Sequence, residues 1–566
     1  MIYVHIPNEL KRFETDIRDL CLAFFTLQKI TYIFEENNRA RTTRPYEDIE
    51  LSENVGTSKN VGANFRSPYS CEPNDIVVKD YFSGSSDGDR LKVKSDLKRQ
   101  LYDYLSELTG KQLLWGTLTG IRPVTIVTKI LEEGGWYQSI ENGGSHSSPV
   151  RGESLLVQSD IEINKYLREE YYISDEKADE LLRIAKKEIE ILNREEVKNY
   201  KDSYSIYVGV PFCKSTCLYC SFASYNIGKF GKYVDKYLDT LERDFSSRVK
   251  DITKGSHSSP VQDGSHSSPI QEGSHSIEKL IPLTLYIGGG TPTSLNENQF
   301  ESLLTIIDKY VDRSRCIEYT VEAGRPDTIS EEKLLSMKRH GVTRISINPQ
   351  SFNQKTLDLI GRKHTVNDVK EKFRLARDMG FDNINMDIIL GLPNEHLFDV
   401  LKTLNEIRKL NPDSLTVHSL ALKRAARLNF ELEEWTKNYY LAGVGKRGLA
   451  ELATTAGVGK RGVAMVEGKR EIDKMFKWSE RLAKFLHLNP YYLYRQKNIA
   501  GNLENVGYAK DGKECIYNIM MMSERHSVYG FGTGTTKEVF YENDGKRIES
   551  EEGYKSVIDY CERVGK

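Results

Sequence analysis

The stretch PFCKSTCLYCSF, residues 211–222, places three cysteines in twelve residues. Three residues separate Cys213 from Cys217, and two separate Cys217 from Cys220. The stretch directly follows the apolar run 206–210, which is typical of a buried strand. The sequence therefore predicts a loop that presents three thiols at the end of a strand, and metal or redox chemistry on that loop.

The number of cysteines in the loop bears on the kind of metal. A structural zinc site normally takes four protein ligands, often from two separated C-x2-C pairs. A [4Fe–4S] cluster held by three thiolates instead leaves one iron open for a substrate or cofactor. The sequence has no second pair, because its remaining cysteines stand singly: Cys21, Cys71, Cys316, Cys515 and Cys561. This pattern favours the cluster.

Composition and charge narrow the class of protein. The chain has 566 residues, of which 39% are apolar, so two or three domains are expected. Lysine plus arginine (80) nearly balance aspartate plus glutamate (82), and no overall field favours nucleic acid or anionic lipid. No run approaches the roughly 18 apolar residues that a membrane helix needs, and the N-terminus does not resemble a signal peptide. We expect a cytoplasmic, monomeric protein without a membrane span and without a nucleic-acid partner.

Apolar runs and amphipathic segments alternate between residues 204 and 421. Six strand-like runs are separated by helix-like segments, and this order predicts an α/β fold with a parallel sheet curled into a partial or whole (β/α)6 barrel. The predicted strands are Ser205–Val210, Thr284–Ile287, Glu318–Glu322, Arg344–Ile347, Asn383–Leu390 and Ser414–Leu420. The predicted helices between them are Tyr233–Val249, Glu297–Tyr310, Glu331–His340, Val366–Met379 and His396–Leu410.

We predict three domains around this barrel. Residues 1–195 form an N-terminal α/β domain of unknown role with helices at 95–108 and 174–193, and residues 196–425 form the barrel. Residues 426–566 form a helical and mixed C-terminal extension, expected to be a substrate or lid region, which includes a helix at 471–488. Two kinds of repeat interrupt the chain: GSHSSPV near 143–152 and 254–276, and AGVGKRG within 441–465. Both are too poor in apolar residues to pack as a solenoid, and their composition predicts dispensable insertions.

The distinctive residues fall where a β/α barrel places its chemistry, at the carboxyl ends of the strands. The cysteine loop follows the first strand. A glycine triplet, Gly288–Gly290, follows the second, and glycine there lets backbone amides approach a ligand. Other candidates end or follow the later strands: Glu322, Gln350, Asp387 and Ala421. Taken singly, each of the charges Glu322, Arg362 and Asp387 is more readily explained by pairing inside the barrel than by a site. Their shared position at one mouth of the barrel favours a site.

The motifs resemble those of the radical S-adenosylmethionine (SAM) enzymes. C-x3-C-x2-C after a first barrel strand is the signature of that superfamily. The longer stretches YVGVPFCKSTCLYCSF, LYIGGGTPTSL, NPQSFNQKTLDLIGRKHT and NMDIILGLP resemble the oxygen-independent coproporphyrinogen III dehydrogenase (oxidase) family. LLWGTLTGIRP and YYLYRQKNIAGNLENVGYAK are similar to stretches of its HemZ-like branch. The resemblance covers most of the chain outside the repeats.

The resemblance implies roles for individual residues. Cys213, Cys217 and Cys220 would bind a [4Fe–4S] cluster and serve catalysis together with Glu322. SAM would be contacted by Tyr207, Tyr219, Gly289, Gly290, Thr291 and Glu322. A second SAM molecule would be contacted by Gln350, Arg362, Asp387 and Ala421.

The resemblance also implies a reaction. The reduced cluster would cleave SAM to methionine and a 5′-deoxyadenosyl radical, which removes hydrogen from a propionate of coproporphyrinogen III. Loss of carbon dioxide and one electron would leave a vinyl group and lead to protoporphyrinogen IX in haem biosynthesis. The implied partners are a tetrapyrrole substrate and an electron donor and acceptor that the sequence does not identify.

Two positions depart from the pattern of the family. Gly209 stands where the dehydrogenases have histidine, and Phe222 stands where they have a further cysteine. Two alternatives therefore stay open. One is a haem-binding chaperone, disfavoured because Cys515-Ile516-Tyr517-Asn518 stands in place of its His-Asn-x-x-Tyr-Trp motif. The other is a radical SAM methyltransferase that acts on a tetrapyrrole.

A polar and aromatic segment after the barrel suggests where a tetrapyrrole binds. Residues 491–497, YYLYRQK, combine aromatic walls with cations, as a macrocycle carrying carboxylates requires. We expect Arg495 to hold a propionate. From composition alone, an ordinary core strand with a basic end explains the segment equally well.

Overall fold

The structure of the protein is a computed structural model. It describes residues 2–24, 30–35, 75–77, 90–133, 159–255, 279–423, 425–431, 459–496, 499, 502–524, 526–541 and 547–564. None of the helices in these ranges is long and apolar enough to cross a membrane. The repeats lie outside the described residues, apart from backbone at 254–255 and 459–465 that continues helices, so their dispensability stays a prediction.

The chain divides into two compact units. The first comprises Met1–Gly120 and Ile161–Asp179, and the second comprises Ile121–Asp160 and Glu180–Lys566. The predicted boundary at residue 195 is therefore not where the compact units part. The functional division into three domains remains a prediction.

The first unit is built on a small parallel sheet. Strand β1 (Ile2–Pro7) lies between β2 (Ile30–Glu35) and β3 (Asp75–Val77). Its core joins Val4 and Ile6 of β1 to apolar residues of the helices Glu14–Phe24 and Arg90–Thr109. The predicted α/β character of the N-terminal region is confirmed, and so is its helix at 95–108.

The second unit contains the predicted parallel strands. They run in sequence order as neighbours, and each predicted strand is present with its ends shifted by a few residues. They are β4 (Tyr204–Val210), β7 (Thr284–Gly289), β8 (Glu318–Glu322), β9 (Arg344–Ser346), β10 (Ile384–Leu390) and β11 (Ser414–Ser419). Their residues are almost continuously buried, as parallel strands covered by helices are. The predicted α/β barrel fold is thus confirmed.

Helices follow these strands as predicted. The longer described helices that lie wholly or mostly in the second unit are Val124–Glu133, Asp175–Leu192, Val234–Gly255, Glu297–Tyr310, Glu331–Arg339, Gln354–Leu359, Val366–Asp378, Leu397–Leu410, Gly459–Phe485, Ile516–Ser523 and Val557–Arg563. In addition, Asp160–Tyr171 lies largely in the first unit. Several begin at side-chain caps: Asn296 and Thr365 each form a capping box with the third helical residue.

The C-terminal region contributes strands to the same sheet, which the sequence did not predict. At one edge, β13 (Asn505–Ala509) pairs antiparallel with β11, and β12 (Asn489–Tyr494) pairs antiparallel with β13. At the other edge, β14 (Ser527–Gly532) pairs parallel with β4. Antiparallel strands β15 (Thr536–Tyr541) and β16 (Arg547–Glu552) continue from it. These strands extend both edges of the row of barrel strands, so residues of the C-terminal region belong to the same sheet. The role of this region as a substrate or lid region stays a prediction.

Candidate active site

The cysteine loop is held by backbone hydrogen bonds to the neighbouring loops. Its short strand β5 (Phe212–Cys213) pairs with β6 (Tyr225–Asn226). The amide of Leu218 donates to Ile360 O at 2.9 Å, and Leu218 itself is fully buried. The hydroxyl of Ser215 donates to Gly361 O at 2.8 Å. The loop is therefore fixed to the segment after β9 as well as to its own strand.

All three cysteines of the loop line one cavity of about 440 Å³ at the carboxyl ends of the strands. Cys213 is buried, whereas Cys217 and Cys220 are half-buried. Burial raises the pKa of Cys213 to about 11 and also raises the pKa of Cys220. In the metal-free protein both thiols thus keep their protons at neutral pH, and iron binding must displace them.

The donor set fits a cluster. Among the described residues, no three His, Cys, Asp or Glu side chains converge on a single ion position. A cluster does not require such convergence, because each thiolate binds a different iron. Three thiols on one loop, facing a shared cavity, are the donors that a [4Fe–4S] cluster with one open iron requires.

The glycine triplet packs against the cysteine loop. A Cβ at Gly290 would lie 2.6 Å from Phe212 O, and Gly289 has a φ of +103°. The amides of Gly290 and Thr291 donate to Val210 O and Phe212 O, each at 2.7 Å. These two amides are thus bonded to backbone oxygens at the start of the cysteine loop. Of the glycine amides expected to approach a ligand, that of Gly290 is therefore occupied, although Gly289, Gly290 and Thr291 all line the cavity.

Glu322 ends β8 inside the cavity. Its Oε1 accepts a hydrogen bond of 2.6 Å from the hydroxyl of Tyr286. Burial raises the pKa of Glu322 to about 7, and the hydrogen bond from Tyr286 opposes that rise. Because Glu322 is half-buried and its carboxyl group has no cationic partner of its own within hydrogen-bonding distance among the described residues, it is suited to pair with a cationic group of a ligand.

Tyrosines form one wall of the cavity. The ring of Tyr286 stacks on Tyr517 at 4.6 Å and on Tyr207 at 5.9 Å between centroids. Tyr219 of the cysteine loop also lines the cavity. The predicted Tyr207 and Tyr219 are therefore brought to the cysteines. Tyr286 and Tyr517 were not predicted as site residues, although both lie in stretches that the sequence analysis singled out, LYIGGGTPTSL and residues 515–518.

Gln350 and Arg362 bring polar atoms into the cavity that no described residue satisfies. Gln350 has a φ of +63°, unusual for a residue with a side chain, and its Oε1 is buried without a hydrogen-bond partner among the described residues. Arg362 donates from Nη2 to Gly324 O at 2.5 Å, while its Nε and Nη1 are buried and likewise unmatched within those residues. Buried polar groups are normally paired, so these atoms favour a polar ligand.

Asp387 and Ala421 complete the predicted set. Asn385 Nδ2 donates to Asp387 Oδ1 at 2.7 Å, and His418 Nε2 lies 3.8 Å from Asp387 Oδ2. Burial alone would raise the pKa of Asp387, but His418 and Asn385 hold it below its usual range. Ala421 lies just beyond β11 in the cavity wall. Every residue predicted to bind the cluster or SAM therefore lines this one cavity.

His418 is a cavity residue that sequence reasoning missed. It lies on β11 two residues after Thr416, on the same face, and Thr416 pairs with Asp387 of β10. Its Nδ1 lies 3.3 Å from the hydroxyl of Tyr494. The period of two along a strand was the signal that linked His418 to Asp387.

Only some residues of the segment 491–497, which was expected to contact a tetrapyrrole, line the cavity. Tyr492, Tyr494 and Gln496 line the cavity. Arg495 does not line it: this side chain is 5% exposed, and its Nη2 donates to Asn502 Oδ1 at 2.8 Å. Burial lowers the pKa of Arg495 to about 10. The structure thus disfavours Arg495 as the propionate ligand and supports the core-strand explanation for this residue.

The two positions that depart from the family pattern, 209 and 222, lie in different surroundings. A Cβ at Gly209 would lie 2.6 Å from Thr533 O and equally close to Thr535 Cγ2. A histidine therefore has no room there, because the turn after β14 covers the strand. Phe222 is 65% exposed, and Lys423 Nζ lies 4.9 Å from its ring centroid.

This fold and this cavity define a radical SAM protein, and the sequence model of the Radical SAM superfamily matches residues 207–407. Membership implies a [4Fe–4S] cluster and SAM. The chain is 35% identical over 457 residues to the oxygen-independent coproporphyrinogen-III oxidase-like protein HemZ of Bacillus subtilis (strain 168), covering 80% of this chain and 76% of that protein. The chain therefore belongs to the coproporphyrinogen-III oxidase-like family of radical SAM proteins.

The chain is also similar to a curated chaperone and to one solved enzyme structure. The chain is 34% identical over 220 residues to the heme chaperone HemW of Bacillus subtilis, which covers 39% of this chain and 51% of that protein. Among solved structures, coproporphyrinogen III oxidase (HemN) from Escherichia coli, a radical SAM enzyme, aligns over 65% of this chain and 71% of its own, with 18% identity and a TM-score of 0.42.

Proposed function

We propose that the chain is a radical SAM oxidoreductase that converts propionate side chains of coproporphyrinogen III to vinyl groups without oxygen. The observation that carries the proposal is the single cavity in which the three cysteines meet Glu322, Gln350, Arg362 and Asp387. When bound, the cluster and SAM supply the one-electron chemistry that removes a hydrogen atom from the propionate. The protein binds and orients the reactants and excludes water.

The arrangement supports a division of the cavity between two SAM molecules. Glu322 offers a carboxylate to the cationic part of the first molecule. The unmatched atoms of Gln350 and Arg362 offer an acceptor and two donors to a second. Asp387, whose pKa is held below its usual range, would stay charged and accept from hydroxyl groups of that molecule.

The tetrapyrrole would bind against the cavity wall that Tyr492 and Tyr494 form. Tyr492 and Tyr494 stack with an angle of 5° between their rings and present an apolar face to a macrocycle. His418 and Lys423 line the same cavity and are the cationic or hydrogen-bonding groups available to a propionate. Burial lowers the pKa of Lys423, and a bound carboxylate would raise that pKa by stabilising the charged form.

The experiment is anaerobic incubation of reconstituted, reduced protein with SAM and coproporphyrinogen III, followed by mass analysis of the tetrapyrrole. Loss of carbon dioxide and hydrogen from propionates is expected. Addition of methyl groups would instead identify a methyltransferase. An unchanged tetrapyrrole, with SAM still cleaved, would contradict the proposed substrate.

The haem-binding chaperone is the alternative, because HemW proteins are relatives of this chain. Cys515, at the position of the chaperone histidine, is fully buried, and its Sγ donates to Glu318 Oε1 at 3.3 Å. Such a thiol is not accessible to haem iron, which favours the enzyme. Stoichiometric, stable haem binding that survives Cys515→Ala and occurs without SAM cleavage would favour the chaperone.

A further inference from the structure

Arg325 is a buried cation beside the cysteine loop to which neither the sequence motifs nor the proposed reaction gives a role. It follows β8 and immediately precedes the short turn Pro326–Thr328, and its side chain is 3% exposed. It lines the same cavity as the cysteines. A fully buried arginine requires partners, because a guanidinium keeps its charge in a protein.

The contacts of Arg325 converge on the cysteine loop. Nη1 donates to Ser215 Oγ at 2.8 Å and to Ser215 O at 3.2 Å, and it lies 4.0 Å from Cys217 Sγ. Nε donates to Asp327 Oδ1 at 3.3 Å. Nη2 is buried and has no hydrogen-bond partner among the described residues. Ser215 and Asp327 thus anchor the guanidinium, and this anchoring holds Nη1 beside the sulfur of Cys217.

The charge of Arg325 is only partly balanced. Its acidic partner, Asp327, is shared with Lys214, whose Nζ lies 3.2 Å from Asp327 Oδ2. Two cations therefore share one carboxylate at the edge of the cluster site. Interactions of this kind are poorly screened by solvent, because Arg325 and Asp327 are both largely buried.

We propose that Arg325 tunes the redox potential of the cluster through Cys217. Reduction adds one negative charge to a cluster and its thiolates. A fixed positive charge and an N–H donor at a thiolate sulfur stabilise that added charge, and therefore raise the potential. Arg325 thus makes the cluster easier to reduce by a low-potential one-electron donor. This role concerns the cluster alone and holds whichever tetrapyrrole reaction the chain performs.

The test compares midpoint potentials of anaerobically reconstituted variants without SAM. Each sample is poised at a series of potentials with dithionite as reductant, and the EPR signal of the reduced cluster is measured. Arg325→Gln should retain its iron and shift the midpoint to a more negative potential. Arg325→Lys, which keeps the charge, should shift it less. Arg339→Gln, which removes a surface arginine paired with Glu301, serves as the control and should leave the potential unchanged.

A second variant tests the opposite sign. Asp327→Asn removes the carboxylate that offsets Arg325 and Lys214, so it should shift the midpoint to a more positive potential. An unchanged potential in Arg325→Gln at full iron content would overturn the proposal. If Arg325→Gln does not retain iron, Asp327→Asn decides: a positive shift supports the proposal, and a shift of zero or below overturns it.

Discussion

Restoring the family histidine at position 209 should destabilise this protein. Gly209 lies on β4, paired with Gly532 of β14 and Gly288 of β7. A Cβ there would lie 2.6 Å from a backbone oxygen, Thr533 O, whereas ordinary contacts begin at 3.4 Å. Backbone cannot rotate away as a side chain can. The turn after β14 must therefore move to admit any larger residue.

The magnitude follows from this overlap. Forcing one extra carbon into a packed site costs typically 1–3 kcal/mol, roughly, so Gly209→Ala should lose about that much stability. Gly209→His also buries an imidazole that lacks a prepared partner, which adds about 1–3 kcal/mol. With roughly 2–4 °C per kcal/mol in domains of moderate size, the alanine variant should melt about 2–12 °C below the parent, and the histidine variant lower still.

Thermal unfolding followed by circular dichroism measures the effect. Phe222→Cys is the matched control, because it restores the other family residue at a side chain that is 65% exposed. It should leave the melting temperature unchanged. The reasoning is refuted if Gly209→His melts with the parent protein and keeps its iron, since the turn after β14 would then not cover position 209.

Three further predictions concern the cluster, the edge strand and a buried carboxyl. The anaerobically reconstituted parent protein should hold close to four irons, and Cys217→Ala should lose them. Cys316→Ala is the control and should keep its iron. Stoichiometric zinc without iron in the parent would contradict the cluster. Arg495→Met should lower the free energy of unfolding by about 3 kcal/mol, because it leaves buried polar partners uncompensated. It should leave tetrapyrrole affinity unchanged in an equilibrium binding assay. A ten-fold weaker affinity in folded protein would instead assign Arg495 to substrate binding. Burial raises the pKa of Glu395 from 4.5 to about 7, so the native state loses stability through this group as pH rises from about 4.5 to about 7. In denaturant unfolding, Glu395→Gln should match the parent near pH 4.5 and exceed its stability by up to about 3 kcal/mol at pH 8. A variant that is less stable than the parent at both pH values would refute this prediction.

The local order of strands and helices in the barrel was predictable because each element carries its own pattern. Continuous apolar runs mark strands that are buried on both faces, and amphipathic segments mark the helices that cover them. Since a parallel sheet aligns the carboxyl ends of its strands, the positions of Glu322, Gln350 and Asp387 after successive strands were enough to predict a common edge. The cysteine spacing then indicated the cofactor.

Long-range pairing was decided only by the tertiary structure. No local pattern states that β14, more than three hundred residues after β4 in the chain, completes the sheet beside it, or that its following turn requires glycine at 209. The same holds for Arg325, which reaches Cys217 across more than a hundred residues of chain. Side-chain direction is likewise invisible in composition: Tyr494 faces the cavity while its neighbour Arg495 is buried against Asn502. Sequence patterns report the period and polarity of single elements, whereas the packing of distant elements determines which atoms meet.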